Sequence, residues 1–284
     1  MLIGILAGRF PTSREPSIGG KAVPVWAIVL GTLVLFGLLE TNSWALFDWI
    51  AGKPEGASYL LALGTLRWLP WLIVPYAAAC LLFGARNGAC ALGLCGSPLT
   101  GLAVALAITL PNLLVFAVFL DWQWPDDPLR KVLQYSVFPG IFEEVLYRAF
   151  LFGFLFRYAR WGFLPAALTS AVLFGAAHIW QGGDYIEAAG VFAITGLGGL
   201  LFAWLYAEWH FNIWVPAGVH LLMNLWFQFF AMPDDGSGEI YALAGRLVVF
   251  VPAIGLTLWM ARRRGHRVVK ETVWLRGRPR HSRI

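Results

Sequence analysis

The sequence predicts an all-α membrane protein, a polytopic helix bundle with about eight transmembrane helices. Of its 284 residues, 59% are hydrophobic and only 13% are charged, whereas soluble globular proteins carry about 25% charged residues. Aromatic side chains are abundant, with 15 Trp and 21 Phe. The apolar residues are also grouped into runs of about 20, which is the length that an α-helix needs to cross a bilayer.

Each apolar run defines one predicted membrane span. The eight spans cover residues 23–39, 59–83, 102–120, 133–156, 163–180, 188–206, 211–230 and 240–260. The second span is the least regular, because Arg67, Pro70 and Pro75 interrupt it. We expect that arginine to extend toward the membrane surface or to pair with an acidic side chain. Residues 84–98 are predicted to form a loop or a short interfacial segment.

The distribution of Lys and Arg predicts the orientation, because cytoplasmic loops of membrane proteins are enriched in both. With the N-terminus inside, fifteen of the 21 basic residues fall on the inner side and three fall outside. Nine of them lie between Arg262 and Arg283. We therefore expect an integral, multi-pass protein of the plasma (inner) membrane, with residues 1–22 and the basic tail 263–284 both cytoplasmic.

The basic tail and the cysteines limit the expected partners and cofactors. A basic block beside a membrane span is typical of contact with the lipid bilayer, and nothing that resembles a nucleic-acid-binding fold precedes it, so nucleic acid is not an expected partner. Cys80, Cys90 and Cys95 are odd in number and fit no zinc-site spacing. They are predicted to be ordinary residues in or near a membrane helix.

Three charged residues lie inside the fourth predicted span. Glu143 and Glu144 are adjacent, and Arg148 follows Glu144 by four residues. A charged side chain at bilayer depth costs from about 2.5 to more than 10 kcal/mol, so such residues require a partner or a function. The spacing of four allows Glu144 to pair with Arg148, whereas Glu143 points about 100° away. Glu143 is then freer to act, although a purely structural ion network is an alternative interpretation.

Two further spans carry polar residues that have both structural and chemical interpretations. His178 lies near the end of the fifth span, four residues after Phe174, and His220 and Asn224 lie four residues apart on the seventh. An imidazole and an amide can donate hydrogen bonds to an oxyanion. In helix bundles the same side chains commonly form interhelical hydrogen bonds.

Their depth favours one shared site. In the predicted orientation, Glu143 and His220 lie roughly 15 Å below the outer ends of their helices, Asn224 about 9 Å and His178 about 3 Å. All four positions fall in the outer half of the membrane. Independent structural residues need not converge in this way, so the sequence favours one cavity that opens to the outside.

Three short motifs on these spans resemble a known family. In order they are Glu143-Glu144-x-x-x-Arg148, Phe174-x-x-x-His178 and His220-x-x-x-Asn224. Together they resemble the signature motifs of the CAAX-protease and bacteriocin-processing (CPBP) family, which includes the type II CAAX prenyl endopeptidases and is also called the Abi family. The resemblance covers roughly residues 138–230. It assigns residues 23–131 to N-terminal transmembrane helices and residues 132–262 to a catalytic membrane domain.

The resemblance implies an intramembrane endopeptidase that cuts near a C-terminus or in a membrane-proximal peptide. Glu143 would activate a water molecule as general base, assisted by His178. His220 and Asn224 would stabilise the oxyanion. The implied supporting residues are Glu144, Arg148 and Phe174. The expected substrate is a membrane-anchored or lipid-modified peptide or protein, and the outer position of the site favours exported proteins cut at a sorting tail or a leader.

The mechanism has two forms, because the family has been described both as metalloproteases and as glutamic proteases. We favour metal-free chemistry with no cofactor, since the sequence lacks the His-Glu-x-x-His spacing of many zinc proteases. Zn²⁺ is the alternative. Its expected ligands would be Glu143, Glu144, His178 and His220.

Two functions of other classes remain open at this stage. An ion- or proton-coupled transporter would also place ionisable residues inside the membrane, but it predicts charges along a full transmembrane path, and here they cluster in the outer half. An inactive relative acting as an immunity or scaffold protein is the second alternative. The presence of all seven motif residues argues against it.

Overall fold

The computed structural model describes residues 15–51, 56–233, 237–265 and 267–269. It confirms the predicted fold class, a helical membrane bundle. The one sheet in these ranges is a small antiparallel hairpin of β1 (Ser17–Ile18) and β2 (Lys21–Ala22). Residues 1–14 and most of the predicted basic tail lie outside the described residues.

The bundle consists mainly of α-helices, with π-helical stretches at two places. The α-helices are α1 (Val25–Ala51), α2 (Gly56–Ala62), α3 (Pro70–Phe83), α4 (Ala85–Ala91), α5 (Pro98–Phe119), α6 (Pro128–Val132), α7 (Phe163–Ala176), α8 (Tyr185–Glu208), α9 (Trp214–Gln228), α10 (Ser237–Val248) and α11 (Phe250–Arg264). A π-helix, Leu63–Trp68, joins α2 to α3. Three more, Leu133–Val137, Pro139–Phe152 and Phe154–Tyr158, follow α6, and we call the long second one the central π-helix.

Six helical segments in the described ranges are long and apolar enough to cross a membrane. They are Val25–Ser43, Gly56–Phe83, Pro98–Phe119, Phe163–Gln181, Tyr185–Glu208 and Ile240–Arg264. The other two predicted spans correspond to the central π-helix, which carries three charged residues, and to α9. The 15 residues of α9 rise only about 22 Å, against a hydrocarbon thickness of about 30 Å. The count of eight therefore stays a prediction.

The helices that carry charged and polar motif residues lie inside the bundle. All residues from Glu143 to Phe152 of the central π-helix are buried. This helix packs against α1, α3, α7, α8 and α9. Large apolar side chains instead cover the outer faces, as at Leu99, Val118 and Val251, which are each more than 70% exposed. The apolar exterior suits contact with lipid, and the interior accommodates the charges.

Small residues allow the central π-helix and α9 to approach closely. A Cβ atom added at Gly140 would lie 2.7 Å from the Cα atom of Leu221, well inside van der Waals contact. Gly140 precedes Glu143 by three residues, and Leu221 follows His220. The contact therefore brings the acidic pair and His220 together. Close approach through glycine is typical of membrane helix packing.

The predicted eighth span is one apolar segment, Ile240–Arg264, that contains two helices. α10 and α11 meet at Val249, because Pro252 has no N–H to donate to the carbonyl group of Val248. The prediction for the cysteines was wrong: Cys90 and Cys95 form a disulfide with a Cα–Cα distance of 4.8 Å, and Cys80 is free.

The disulfide closes the turn between α4 and α5, where Gly93 has a φ of +78°. Two half-cystines five residues apart can bridge only when the chain reverses between them, and spacing alone does not reveal such a turn. The predicted orientation places this turn on the cytoplasmic side. Because disulfides are rare in the reducing cytoplasm, the bridge favours the opposite side, and orientation stays a prediction.

Candidate active site

The centre of the bundle holds an ion pair on the central π-helix. The Nη1 atom of Arg148 lies 3.0 Å from Oε1 of Glu144, and both side chains are 0% exposed. The Arg148 guanidinium also lies 4.1 Å from the ring centre of Phe174 on α7 and 5.3 Å from that of Phe202 on α8. A cation placed against aromatic faces gains electrostatic stabilisation in a water-excluded site. These contacts link three helices at one point.

Glu144 has a second partner, His220 on α9. The Nδ1 atom of His220 lies 2.8 Å from Oε1 of Glu144, so this nitrogen donates its proton to the carboxylate. A carboxylate that binds one ring nitrogen orients the ring and fixes its tautomer. The other nitrogen, Nε2, then faces Glu143 at 4.0 Å. Glu144 thus pairs with Arg148, as its spacing predicts, and also orients His220.

His178 reaches Glu143 from the end of α7. Its Nδ1 atom lies 2.7 Å from the carbonyl oxygen of Phe174, one of the last carbonyl groups of α7, which have no partner within the helix. Because a carbonyl oxygen only accepts, Nδ1 carries the proton and Nε2 of the neutral ring is an acceptor. That Nε2 atom is 4.0 Å from Oε2 of Glu143. The neighbouring Phe174 ring packs 4.4 Å from the imidazole.

Glu143 therefore lies between two imidazoles from two other helices. Its side chain is 12% exposed, and those of His178 and His220 are 18% and 11% exposed. The three side chains are nearly enclosed but not sealed from solvent. Separations of 4.0 Å are too long for direct hydrogen bonds. Polar groups at this separation can both contact one small molecule or one substrate atom that lies between them.

Asn224 is the predicted site residue that the structure does not bring into this contact. It lies one turn beyond His220 on α9 and is partly buried. No hydrogen bond links its amide to another residue in the described ranges. Residues four apart share one helix face, so the amide belongs to the face that carries His220.

Ser170 has a structural contact rather than a catalytic one. Its hydroxyl group is fully buried and donates a hydrogen bond to the carbonyl oxygen of Tyr147 at 2.9 Å. This contact joins α7 to the central π-helix.

Residues 125–226 match the sequence model of the family described as type II CAAX prenyl endopeptidase Rce1-like. This match confirms the predicted family resemblance. The matched segment contains every motif residue, from Glu143 to Asn224. No curated protein and no solved structure matches the chain. At the level of the family, the match supports a CAAX-type intramembrane endopeptidase.

The arrangement does not fit a metal ion as it stands. In the ranges that the structure describes, no three or more His, Cys, Asp or Glu side chains are placed to hold one. Ligand atoms around a tetrahedral zinc ion lie about 3.3 Å apart, given Zn–N and Zn–O bonds of about 2.0–2.1 Å. The separations of 4.0 Å around Glu143 exceed that spacing.

The structure places two charged residues from outside the matched segment near the site, and sequence reasoning missed the first of them. Glu40 lies in the middle of α1, although the first predicted span ended at residue 39 and so excluded it. Arg67 is only 5% exposed, which rules out the expected extension toward the membrane surface. It interacts electrostatically with Glu40, Glu143 and Tyr147. The sequence did contain a signal for this contact, since Glu40 and Arg67 carry opposite charges and lie at the first two predicted spans.

Proposed function

We propose that this chain is an intramembrane endopeptidase that hydrolyses a peptide bond in a C-terminal or membrane-proximal segment of a lipid-modified or membrane-anchored protein. The observation that carries the proposal is the placement of Glu143 4.0 Å from the Nε2 atoms of both His178 and His220. Peptide hydrolysis requires an activated water, an acceptor for its proton and donors for the oxyanion. These side chains supply all three.

The first step activates the water. The Glu143 carboxylate removes one proton, and Nε2 of His178 accepts a hydrogen bond from the other. The resulting hydroxide attacks the scissile carbonyl carbon, forming a C–O bond and moving the carbonyl electron pair onto oxygen. The Phe174 carbonyl that holds Nδ1–H of His178 keeps Nε2 available as the acceptor.

The second step stabilises the oxyanion and breaks the C–N bond. Because Nδ1 of His220 donates to Glu144, the ring can also donate from Nε2 only as imidazolium, and the adjacent carboxylate of Glu144 stabilises that charge. The amide of Asn224 is the second proposed donor. The proton held by Glu143 passes to the leaving amine as the C–N bond breaks. The immediate products are a carboxylic acid and an amine, which become a carboxylate and an ammonium group by proton transfer between them, and Glu143 is ionised again.

We further propose that the site lies in the outer half of the membrane and acts on exported proteins. The charge distribution of the loops supports this orientation, whereas the Cys90–Cys95 bridge weighs against it. A substrate held there would present its cleavage site from the lipid phase, with its lipid or apolar tail remaining in the bilayer. The lipid bilayer is therefore part of substrate binding.

The experiment is a cleavage assay with purified protein in liposomes and a library of C-terminally anchored peptides, some of them prenylated. The wild-type protein and a Glu187→Gln control, which changes an exposed carboxylate at the start of α8, are expected to cleave the same peptides. Glu143→Gln is expected to cleave them at least about 10²-fold more slowly. Equal cleavage by Glu143→Gln would overturn the proposal.

A second arm tests the metal-free form of the mechanism. Treatment with a chelator, followed by addition of single divalent metals, is expected to leave the cleavage rate unchanged. Reproducible loss with the chelator and recovery with one metal would show that a metal ion takes part.

A further inference from the structure

The turn that the Cys90–Cys95 disulfide closes lies against the beginning of α9, the helix that carries His220. We call residues 90–97 the disulfide turn. It precedes the segment that matches the Rce1-like family, whereas α9 lies almost entirely within that segment. His220 follows Trp214, the first residue of α9, by six residues, or roughly 9 Å along the helix. Contacts at this end of α9 therefore affect the position of a proposed site residue.

Hydrogen bonds fasten the disulfide turn to the matched segment. In each of them a backbone carbonyl oxygen of the turn is the acceptor, and the donor lies at the beginning of α9, in the connection before it, or at the end of the π-helices. The bonds run from Arg157 to Ala91 at 2.7 Å, from Ile213 to Gly93 at 3.4 Å, from Trp214 to Leu94 at 3.1 Å and from Asn212 to Ser97 at 3.1 Å.

Asn212 joins the disulfide turn to the first residue of α9. Its amide nitrogen donates to Ser97, and its amide oxygen accepts from the backbone N–H of Trp214 at 3.1 Å. The first N–H groups of a helix have no acceptor within the helix. The Asn212 side chain is buried, and a Cβ atom added at Gly96 would overlap it. A shift of either the turn or the beginning of α9 therefore breaks these contacts.

The connection between α8 and α9 has a strained backbone beside the same turn. His210 and Phe211 have φ angles of +56° and +58°, a left-handed conformation that is uncommon for residues with a side chain. Such a conformation costs free energy and persists only where surrounding contacts hold it. The Phe211 ring lies 4.2 Å from the guanidinium carbon of Arg157, and a Cβ atom added at Gly93 would overlap the Phe211 carbonyl oxygen. The disulfide turn thus helps to hold the strained connection.

The disulfide is accessible to a reductant. Cys95 is exposed and Cys90 is partly exposed, whereas the next two residues after Cys90 are buried. Reduction is a thiol–disulfide exchange: a dithiol transfers two electrons and two protons to the bridge, which becomes two thiols, and the dithiol itself becomes a disulfide. An oxidising disulfide reverses the reaction. A reducing compartment therefore keeps the pair as thiols, and an oxidising one keeps the bridge.

We infer that the thiol–disulfide state of Cys90 and Cys95 regulates the proposed reaction by fixing or releasing the beginning of α9. With the bridge closed, the turn is confined to the conformation that contacts α9. With the bridge open, the turn gains other conformations, the strained connection relaxes, and His220 and Asn224 lose their fixed position. The inference rests on the proposed function, in which these two side chains stabilise the oxyanion. Donors that are no longer held in place stabilise it less.

The test compares kcat and KM of the wild-type protein in liposomes before and after reduction by dithiothreitol, well below the temperature at which either form unfolds. Reduction is expected to lower kcat roughly 10- to 100-fold. KM is expected to stay nearly unchanged, because oxyanion donors act in the transition state. Reoxidation is expected to restore kcat. An equal kcat in the two states would overturn the inference.

Two variants separate the bridge from other effects of the reductant. Cys90→Ala/Cys95→Ala is expected to have the low kcat of the reduced protein and no response to dithiothreitol. Cys80→Ala is the matched control, because Cys80 is a free cysteine on the neighbouring helix α3. It is expected to respond to the reductant as the wild-type protein does. A double variant that still responds would contradict the inference.

Hydrogen–deuterium exchange provides a measurement that does not depend on activity. Residues 211–220 are expected to exchange roughly tenfold faster in the reduced protein, because an open turn no longer restrains the beginning of α9. The exchange of α7 is expected to stay the same. Unchanged exchange of residues 211–220 would overturn the inference. Lack of cleavage by the wild-type protein in both states, with the faster exchange present, would overturn the proposed function alone.

Discussion

Replacing Arg148 by methionine is expected to destabilise the protein by about 3–5 kcal/mol, because it leaves a buried charge without its partner. Arg148 and Glu144 are both 0% exposed and lie 3.0 Å apart, so no solvent compensates the loss. Glu144 would keep only its hydrogen bond from His220. At about 1.4 kcal/mol per tenfold change, the ratio of folded to unfolded protein falls roughly 100- to several-thousand-fold.

The assay is equilibrium unfolding in mixed detergent micelles, followed by tryptophan fluorescence. The double variant Glu144→Gln/Arg148→Met is expected to recover about 1–3 kcal/mol relative to Arg148→Met, since it removes the unpaired charge and keeps an acceptor for His220. Arg130→Met is the control: Arg130 pairs with Asp127 at 3.2 Å, but both are well exposed, so the expected loss is below about 1 kcal/mol. A double variant as unstable as Arg148→Met would refute the reasoning.

Three further predictions concern catalysis, helix packing and orientation. Asn224→Ala is expected to lower kcat roughly 10²–10³-fold with little change in KM, since an oxyanion donor acts in the transition state; an unchanged kcat would exclude that role. Gly140→Ala is expected to lower both thermal stability and kcat/KM, because the added Cβ lies 2.7 Å from the Cα atom of Leu221. Wild-type stability and activity in this variant would show that the close contact between the central π-helix and α9 is not required. With the third cysteine replaced, reduced Cys90 and Cys95 are expected to react with a membrane-impermeant maleimide only after the cells are permeabilised; labelling in intact cells would reverse the predicted orientation.

Local sequence spacing predicted the contacts made within one helix. Glu144 and Arg148 are four residues apart, and they pair as this spacing indicates. The structure also brings Glu143, His178 and His220 together, which their predicted depths did not require, since His178 was placed about 12 Å above the other two. Depth counted from the sequence assumes the rise of an α-helix, and Glu143 lies on a π-helix.

Contacts between helices were harder to predict, since they depend on how each helix is rotated and packed. The hydrogen bond from His220 to Glu144 connects positions 76 residues apart, and nothing in either motif specifies it. Glu40 was excluded because the first apolar run was ended one residue before it, whereas α1 continues to Ala51. The Cys90–Cys95 bridge required the turn at Gly93, which the short intervening segment does not reveal.

The central claim is that Glu143 activates the water that cleaves the peptide bond. The most direct measurement is kcat for Glu143→Gln in the purified protein, with the best peptide from the library. Our account predicts a fall of at least about 10²-fold, the usual contribution of a general base, with KM nearly unchanged because the shape of the side chain is kept. A kcat within twofold of the wild-type value would contradict the account.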